Sequence, residues 1–147
     1  MALRGRPKRP QPGRAYGDTN LFVALLAGAG HPLHERALSV FRRVADGELN
    51  LIVTPVIAAE LLYVASPILG WTRSTAAERI GSLLQADGIV VAERPTILRA
   101  LELYGSNARL DFADAYLAAA ALEVGPLAVA SFDSDFDSVE GIRRTSA

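Results

Sequence analysis

The segment that decides the fold class is Leu49-Asn50-Leu51-Ile52-Val53-Thr54-Pro55. Its first five residues form a nearly continuous apolar run, which is typical of a strand buried on both faces within a parallel sheet. The threonine and proline that follow predict a helix start, because threonine caps a first helical turn and proline fits at the first helical position. Residues 127–130 form a second apolar run of the same kind. Both runs therefore favour an α/β fold.

Helical and strand-like stretches alternate along the chain outward from this segment. The predicted strands span residues 15–18, 49–53, 88–92 and 127–131, with a short final segment at 142–145. The predicted helices span residues 19–27, 32–46, 54–67, 74–86, 95–104 and 112–124. Strands separated by helices require crossover connections, which predict a parallel sheet with helices on both faces. We therefore expect a three-layer α/β/α domain whose central parallel sheet has four or five strands.

The composition is that of one globular domain, with 147 residues of which 50% are hydrophobic and 21% charged. The chain has no cysteine, which excludes cysteine-bound zinc, thiol nucleophiles and iron–sulfur clusters. No apolar run approaches the roughly 18 residues that a membrane-spanning helix needs. These features predict a protein that does not enter a membrane, and we expect it in the cytoplasm.

The net charge of −1 conceals an uneven distribution. Residues 1–14 contain five basic residues and three prolines, whereas residues 15–147 contain 10 basic and 16 acidic residues. We predict that residues 1–14 form a flexible basic tail and that residues 15–147 form the folded domain. A basic tail on an acidic body favours a polyanionic partner, although an unstructured or misassigned chain start accounts for it equally well.

Four carboxylates stand out by their positions, namely Asp18, Glu60, Asp114 and Asp133. Asp18 and Asp133 follow predicted strands, and open parallel sheets bind ligands beyond the carboxyl ends of their strands. Asp114 lies in the first turn of a predicted helix, where unpaired N–H groups favour a negative charge. Glu60 is the one charge in an apolar helix, about two turns from its start. We expect all four side chains to converge on one pocket at one edge of the sheet.

Such a cluster of negative charges repels itself. Its members must be protonated, paired with basic groups or bound to a cation, because an unpaired buried carboxylate costs several kcal/mol. Ligand sets made only of oxygen atoms suit Mg²⁺ or Mn²⁺ rather than zinc. Magnesium sites of this kind typically catalyse reactions of phosphate groups.

Several of these acids also have purely structural interpretations. Asp18 could be the N-cap of the helix that follows it. Asp111 and Asp114 could be ordinary acids of a first helical turn, and Asp133 could belong to a turn at the end of a strand. Glu60 has fewer such explanations, because a lone acid in an apolar helix is uncommon.

Taken together, these residues resemble the PIN-domain ribonucleases, and most closely the VapC-type toxins of toxin–antitoxin pairs. The resemblance covers about residues 15–147 and rests on four pieces of sequence in the family's order. They are Asp18-Thr19-Asn20, the helix that carries Glu60, Asp111-Phe112-Ala113-Asp114-Ala115, and Ser131-Phe132-Asp133-Ser134-Asp135-Phe136.

The resemblance implies a Mg²⁺- or Mn²⁺-dependent endoribonuclease that hydrolyses RNA phosphodiester bonds. It implies that four carboxylates are the catalytic residues and metal ligands, namely Asp18, Glu60, Asp114 and Asp133. It gives auxiliary roles to four residues beside them, namely Asn20, Asp111, Ser131 and Asp135. The implied partners are RNA, a second copy of the chain in a homodimer, and a cognate antitoxin protein that inserts an arginine into the acidic site.

The chain departs from the family pattern at two places. The residues before Asp18, Arg14-Ala15-Tyr16-Gly17, are less apolar than the family's usual first strand, and Ser131 stands where threonine is usual. The weak strand leaves open an alternative in which the chain is a PIN-fold binding protein without catalytic activity. A second alternative is a metal-dependent nuclease or phosphatase that acts on another phosphate ester. Basic residues such as Arg73 are candidates for phosphate contacts, or equally for solvated helix charges.

Overall fold

The computed structural model describes residues 7–125 and 128–145. The strands are β1 (Gly13–Tyr16), β2 (Leu49–Val53), β3 (Ile89–Val91), β4 (Ala128–Ala130) and β5 (Arg143–Thr145). The helices are α1 (Thr19–Leu26), α2 (His34–Ala45), α3 (Pro55–Leu69), α4 (Arg73–Leu84), α5 (Arg94–Ser106) and α6 (Phe112–Val124), with a short 3₁₀ helix at Ser134–Ser138. Residues 1–6 of the predicted tail, and the predicted start of a strand at Leu127, lie outside the described residues. Within the described part of the chain, no helix is both long and apolar enough to cross a membrane.

The strands are parallel, as the alternation of elements predicts, but the main sheet is smaller than expected. Its order is β1-β2-β3, and β4 and β5 form a separate parallel pair. The expectation of four or five strands in one sheet is therefore wrong for the described residues. All four residues of β1, which begins at Gly13, are exposed. The strand consists of Gly13-Arg14-Ala15-Tyr16 and offers little aliphatic surface that a further strand could bury, and it forms the edge of the described sheet.

The core forms around β2, the segment from which the fold class follows. Leu49, Leu51 and Val53 are buried and alternate with half-buried residues. Helix α2 packs against β2, α4 against β3 and α6 against β4, while α5 packs on both α4 and α6. The largest fully buried side chains come from several of these elements, namely Phe22, Leu51, Leu61, Ile80, Leu84, Ile97, Leu110 and Val53. Burying each such side chain stabilises the fold by roughly 1.5–3 kcal/mol.

The ends of β1 and β2 lie side by side and position the elements that follow them. Tyr16 pairs with Ile52 near the carboxyl ends of the two strands. Thr54 then caps α3 by accepting a hydrogen bond from the Ile57 N–H at 3.3 Å. Because α1 and α3 start from neighbouring strand ends and pack on each other, their first turns meet at one edge of the sheet.

Candidate functional site

Asp18 lies at this edge, between β1 and α1. The Gly17 N–H donates to the Ile52 carbonyl at 2.9 Å, which extends the pairing with β2 by one residue. A Cβ atom at residue 17 would lie 2.5 Å from the Phe22 ring, so glycine permits the tight turn into α1. The Asp18 carboxylate is exposed and makes no hydrogen bond that caps α1. The N-cap interpretation of its side chain is therefore not supported, and the carboxylate is available to a ligand.

Thr19 and Glu60 connect the start of α1 to the second turn of α3. The Thr19 side chain is buried, and its hydroxyl donates a hydrogen bond to the Glu60 carboxylate. Glu60 is itself exposed, so the single acid of this apolar helix faces open space rather than the core. The hydrogen bond fixes one carboxylate oxygen of Glu60 and leaves the other free. Sequence reasoning assigned no role to Thr19, although it stands in the middle of the Asp18-Thr19-Asn20 motif.

A second group of acids lies at the start of α6. Asp111 is the N-cap of this helix, and its carboxylate accepts a hydrogen bond from the Asp114 N–H at 2.8 Å. Asp111 therefore precedes α6 as its cap, whereas Asp114 lies within the first turn of the helix. Asp114 is half-buried, and burial raises the pKa of its carboxyl above the ordinary value. The negative charges of Asp111, Asp133 and Asp135 raise this pKa further, so these four acids lie close enough to interact.

Asp133 and Asp135 join this group from the loop that follows β4. The Asp133 N–H donates to the Ser131 hydroxyl at 2.9 Å, and the Asp133 carboxylate accepts from the Asp135 N–H at 2.8 Å. The second of these bonds caps the 3₁₀ helix. Ser131 therefore holds the backbone of the loop, and Asp133 keeps one carboxylate oxygen free.

A groove of about 750 Å³ adjoins both groups of acids. Its rim carries Asp18, Asn20, Glu60 and Asp111. Its other walls are largely apolar or aromatic, with Ala59, Leu62, Tyr63, Val64, Tyr104, Phe112 and Ala113, and they also include the hydroxyl residues Thr19 and Ser66 and the basic Arg73. The structure thus brings Asp18, Glu60 and Asp111 to one groove, and Asp111, Asp114, Asp133 and Asp135 to one electrostatic cluster. Asp111 belongs to both sets.

The donor chemistry of these residues fits a hard divalent cation, although the carboxylates do not form a closed cage. Within residues 7–125 and 128–145, no three acidic or histidine side chains converge closely enough to hold a metal ion. Ion pairs in the same residues join Arg43 to Glu48, Arg99 to Glu123 and Arg144 to Asp137. None of these pairs uses a predicted metal ligand. Unpaired carboxylate oxygens are the ligands that Mg²⁺ and Mn²⁺ prefer.

Arg144 is a basic neighbour of the acidic cluster that the sequence did not reveal. Its guanidinium donates two hydrogen bonds of 3.1 Å to the Asp137 carboxylate and one of 3.3 Å to the Ser131 carbonyl. The hydrogen bond from Arg144 lowers the pKa of the Asp137 carboxyl. Arg144 lies in β5 and Asp137 lies seven positions earlier in the 3₁₀ helix, and the packing of these two elements brings their side chains together.

Comparison with known proteins gives one match. A family model described as PIN domain matches residues 15–142, which is most of the chain and includes all eight predicted site residues. No curated protein sequence and no solved structure gives a significant match.

Proposed function

This chain belongs to the PIN domain family, and we propose that it is a divalent-metal-dependent endoribonuclease that hydrolyses RNA phosphodiester bonds. The family has a metal-dependent nuclease fold, and its members are generally hydrolases. The observation that carries the proposal is the cluster of Asp111, Asp114, Asp133 and Asp135 beside a groove rimmed by further acids. Within residues 7–125 and 128–145 none of these four carboxylates forms an ion pair, and carboxylates gathered in this way favour a cation as their ligand.

The ligands that we assign to the ion, following the family resemblance, are Asp18, Glu60, Asp114 and Asp133, which the described residues place in two groups rather than in one closed site. When bound, Mg²⁺ or Mn²⁺ supplies a water of lowered pKa and neutralises charge on the scissile phosphate. The remaining chemistry belongs to the chain itself. Thr19 orients the Glu60 carboxylate, and Asp111 fixes the first turn of α6 from which Asp114 projects. Ser131 fixes the loop that carries Asp133.

The groove favours a flexible single-stranded polynucleotide as substrate. Tyr63 is 85% exposed and lies beside Glu60 on the groove wall. A bare aromatic ring is a platform on which an unpaired base can stack, and such stacking contributes about 1–3 kcal/mol per base. RNA that is single-stranded around the cleavage point would place its phosphates along the acidic rim once a cation is present.

The test is an RNA cleavage assay on the full chain with Mg²⁺ or Mn²⁺. We expect cleavage that EDTA abolishes, and loss of cleavage in Asp114→Asn and Asp133→Asn with the fold intact. Asp46→Asn is the matched control, because Asp46 is exposed at the end of α2 and faces no predicted ligand in the described contacts. Undiminished cleavage in EDTA would refute the proposal. Competition with DNA and a phosphomonoester then separates a ribonuclease from the alternative phosphate-ester hydrolases.

One observation favours the alternative of a catalytically inactive binding protein. The four residues of β1 are exposed, so the strand before Asp18 is held mainly by its backbone pairing with β2 and has no side-chain packing of its own. A binding protein of this kind would show no cleavage with any divalent metal, and its melting temperature would not respond to Mn²⁺. The two measurements together decide between the hypotheses.

We further propose that the chain is the toxin of a VapC-type toxin–antitoxin pair and acts in the cytoplasm as a homodimer. The support is the groove itself, whose acidic rim and apolar walls fit an antitoxin segment with an arginine between apolar side chains. Co-purification of an inhibitory partner, and loss of inhibition on changing its arginine, would support this role. Light scattering measures the oligomeric state.

A further inference from the structure

One residue, Asn107, organises the link between α5 and α6 and ties it to the 3₁₀ helix. Its side-chain oxygen accepts from the Arg109 N–H at 3.1 Å, and its carbonyl accepts from the Leu110 N–H at 3.2 Å. Its side-chain amide donates to the Ser138 hydroxyl at 2.8 Å. These bonds give the link, which has no regular secondary structure, a defined conformation directly before the Asp111 cap.

Arg73 holds the same link from the side of α4. Its guanidinium donates to the carbonyls of Tyr104 and Asn107, each at 3.2 Å, and to the carbonyl of Leu110. It also lies 3.8 Å above the centre of the Tyr104 ring. A planar guanidinium with several fixed donors is suited to bridging separate carbonyls in this way. All of these bonds are intramolecular. Arg73 also lines the groove, so a positioning role and a phosphate contact make different predictions for its replacement.

Ser138 carries the connection to the other half of the acidic cluster. Its hydroxyl, which accepts from Asn107, donates to the Asp135 carbonyl at 2.6 Å. Asp135 in turn donates its N–H to the Asp133 carboxylate. A continuous set of hydrogen bonds therefore runs from Arg73 through Asn107 and Ser138 to the loop of Asp133.

We infer that Arg73, Asn107 and Ser138 are positioning residues that set the distance between the acids of α6 and those of the 3₁₀ helix. The acids of α6 follow the link directly, and the acids of the 3₁₀ helix are joined to it through Ser138. This inference rests on the proposed function, because the spacing of carboxylates matters for catalysis only if they share a cation. Groups that orient metal ligands typically affect metal affinity or activity by about 10–100-fold.

The experiment measures Mn²⁺ binding to the full chain by calorimetry, and RNA cleavage as kcat and KM. We expect Arg73→Met and Ser138→Ala each to weaken Mn²⁺ affinity about tenfold or more and to lower kcat, with KM for RNA unchanged. Ser138→Thr, which keeps the hydroxyl, should restore both values. Arg79→Met and Ser106→Ala are the matched controls. Arg79 lies on α4, as Arg73 does, but its guanidinium stacks on the Trp71 ring. The Ser106 hydroxyl donates to the Glu102 carbonyl within α5.

Each outcome separates the two proposals. A raised KM in Arg73→Met with unchanged Mn²⁺ affinity would show a phosphate contact instead and would overturn the inference. If the wild type binds Mn²⁺ and cleaves RNA while Ser138→Ala matches Ser106→Ala, the inference fails and the proposed function stands. If the wild type binds no Mn²⁺, both fall. If Arg73→Met does not fold, the comparison of Ser138→Ala with Ser138→Thr decides alone, because Ser138 is exposed and tolerates replacement.

Discussion

The buried hydroxyl of Thr19 donates a hydrogen bond to Glu60, a residue 41 positions further along the chain. The bond joins the residue after Asp18 to the helix that follows β2. It therefore connects the immediate neighbour of one predicted ligand, Asp18, to a second predicted ligand, Glu60. Its presence makes the orientation of Glu60 a property of the α1–α3 contact rather than of α3 alone.

Replacing Thr19 by valine tests this link. Valine keeps the shape but removes the donor, so Glu60 loses its fixed orientation and kcat should fall about 10–100-fold. The free energy of unfolding should change by about 1 kcal/mol, because the exposed carboxylate can turn to water. Thr19→Ser keeps the donor and should retain most activity. Equal kinetics in the two variants would show that the bond does not orient a ligand.

Replacing Asp114 by asparagine should stabilise the folded chain at neutral pH while it removes activity. Burial and neighbouring negative charges raise the pKa of the Asp114 carboxyl in the folded state. Such a group stabilises the fold below its unfolded pKa, and this contribution is lost as pH rises through the folded pKa. Urea denaturation at pH 7 should therefore show Asp114→Asn to be more stable than the wild type, with the difference gone below about pH 3.

Asp137→Asn is the control for that measurement, because its effect has the opposite sign. The bond from Arg144 lowers the pKa of the Asp137 carboxyl, so its contribution is present above the unfolded pKa and is lost as pH falls through the lowered folded pKa. This variant should be less stable than the wild type at pH 7. A loss of stability in both variants would mean that repulsion among the clustered acids is not significant.

Mn²⁺ should raise the melting temperature of the wild type, and EDTA should reverse the rise. A ligand at 100 times its dissociation constant stabilises the folded state by about 2.7 kcal/mol. Asp133→Asn should lose most of this response, whereas Asp46→Asn should keep it. A similar rise in both variants would place the ion outside the acidic cluster.

Gly17→Ala should destabilise the fold by about 1–3 kcal/mol, because the added Cβ atom would lie 2.5 Å from the Phe22 ring. The shift needed to relieve this contact also moves Asp18, so cleavage should fall as well. Gly30→Ala is the control, since a Cβ atom there meets nothing within 4 Å. Denaturant unfolding gives the difference directly, and equal stability of the two variants would contradict the packing argument.

The elements set by local chemistry are those that the sequence predicts well. The observed β2 and α6 have the predicted bounds. The apolar run that defines β2 and the capping aspartate that starts α6 both act within a few positions of the sequence. Helix α3 continues through Pro67 to Leu69 and ends at Gly70 in the left-handed region, two residues beyond the prediction. The size of the sheet could not be predicted in this way, since it depends on which distant strands pair.

The same contrast between local signals and long-range contacts applies to the candidate site. The positions of Asp18 after β1 and of Asp133 after β4 are predictable from the order of strands and loops. The division of the acids between a groove and a cluster is not, because it depends on how α6 packs beside the loop after β4. Thr19 and Asn107 act through partners 41 and 31 positions away in the sequence. Arg144 reaches the acidic cluster because β5 pairs with β4. No spacing in the sequence indicates these contacts.

The capping role of Asp111 at the start of α6 has an evolutionary consequence. Its carboxylate caps α6, so a descendant that abandoned nuclease activity would still be selected to retain an aspartate, asparagine, serine or threonine there. Glu60 and Asp114 cap no helix, so capping would not retain an acid at either position in such a lineage. An inventory of paralogues should therefore judge competence by those two positions, since an acid at position 111 would survive the decay of the enzyme.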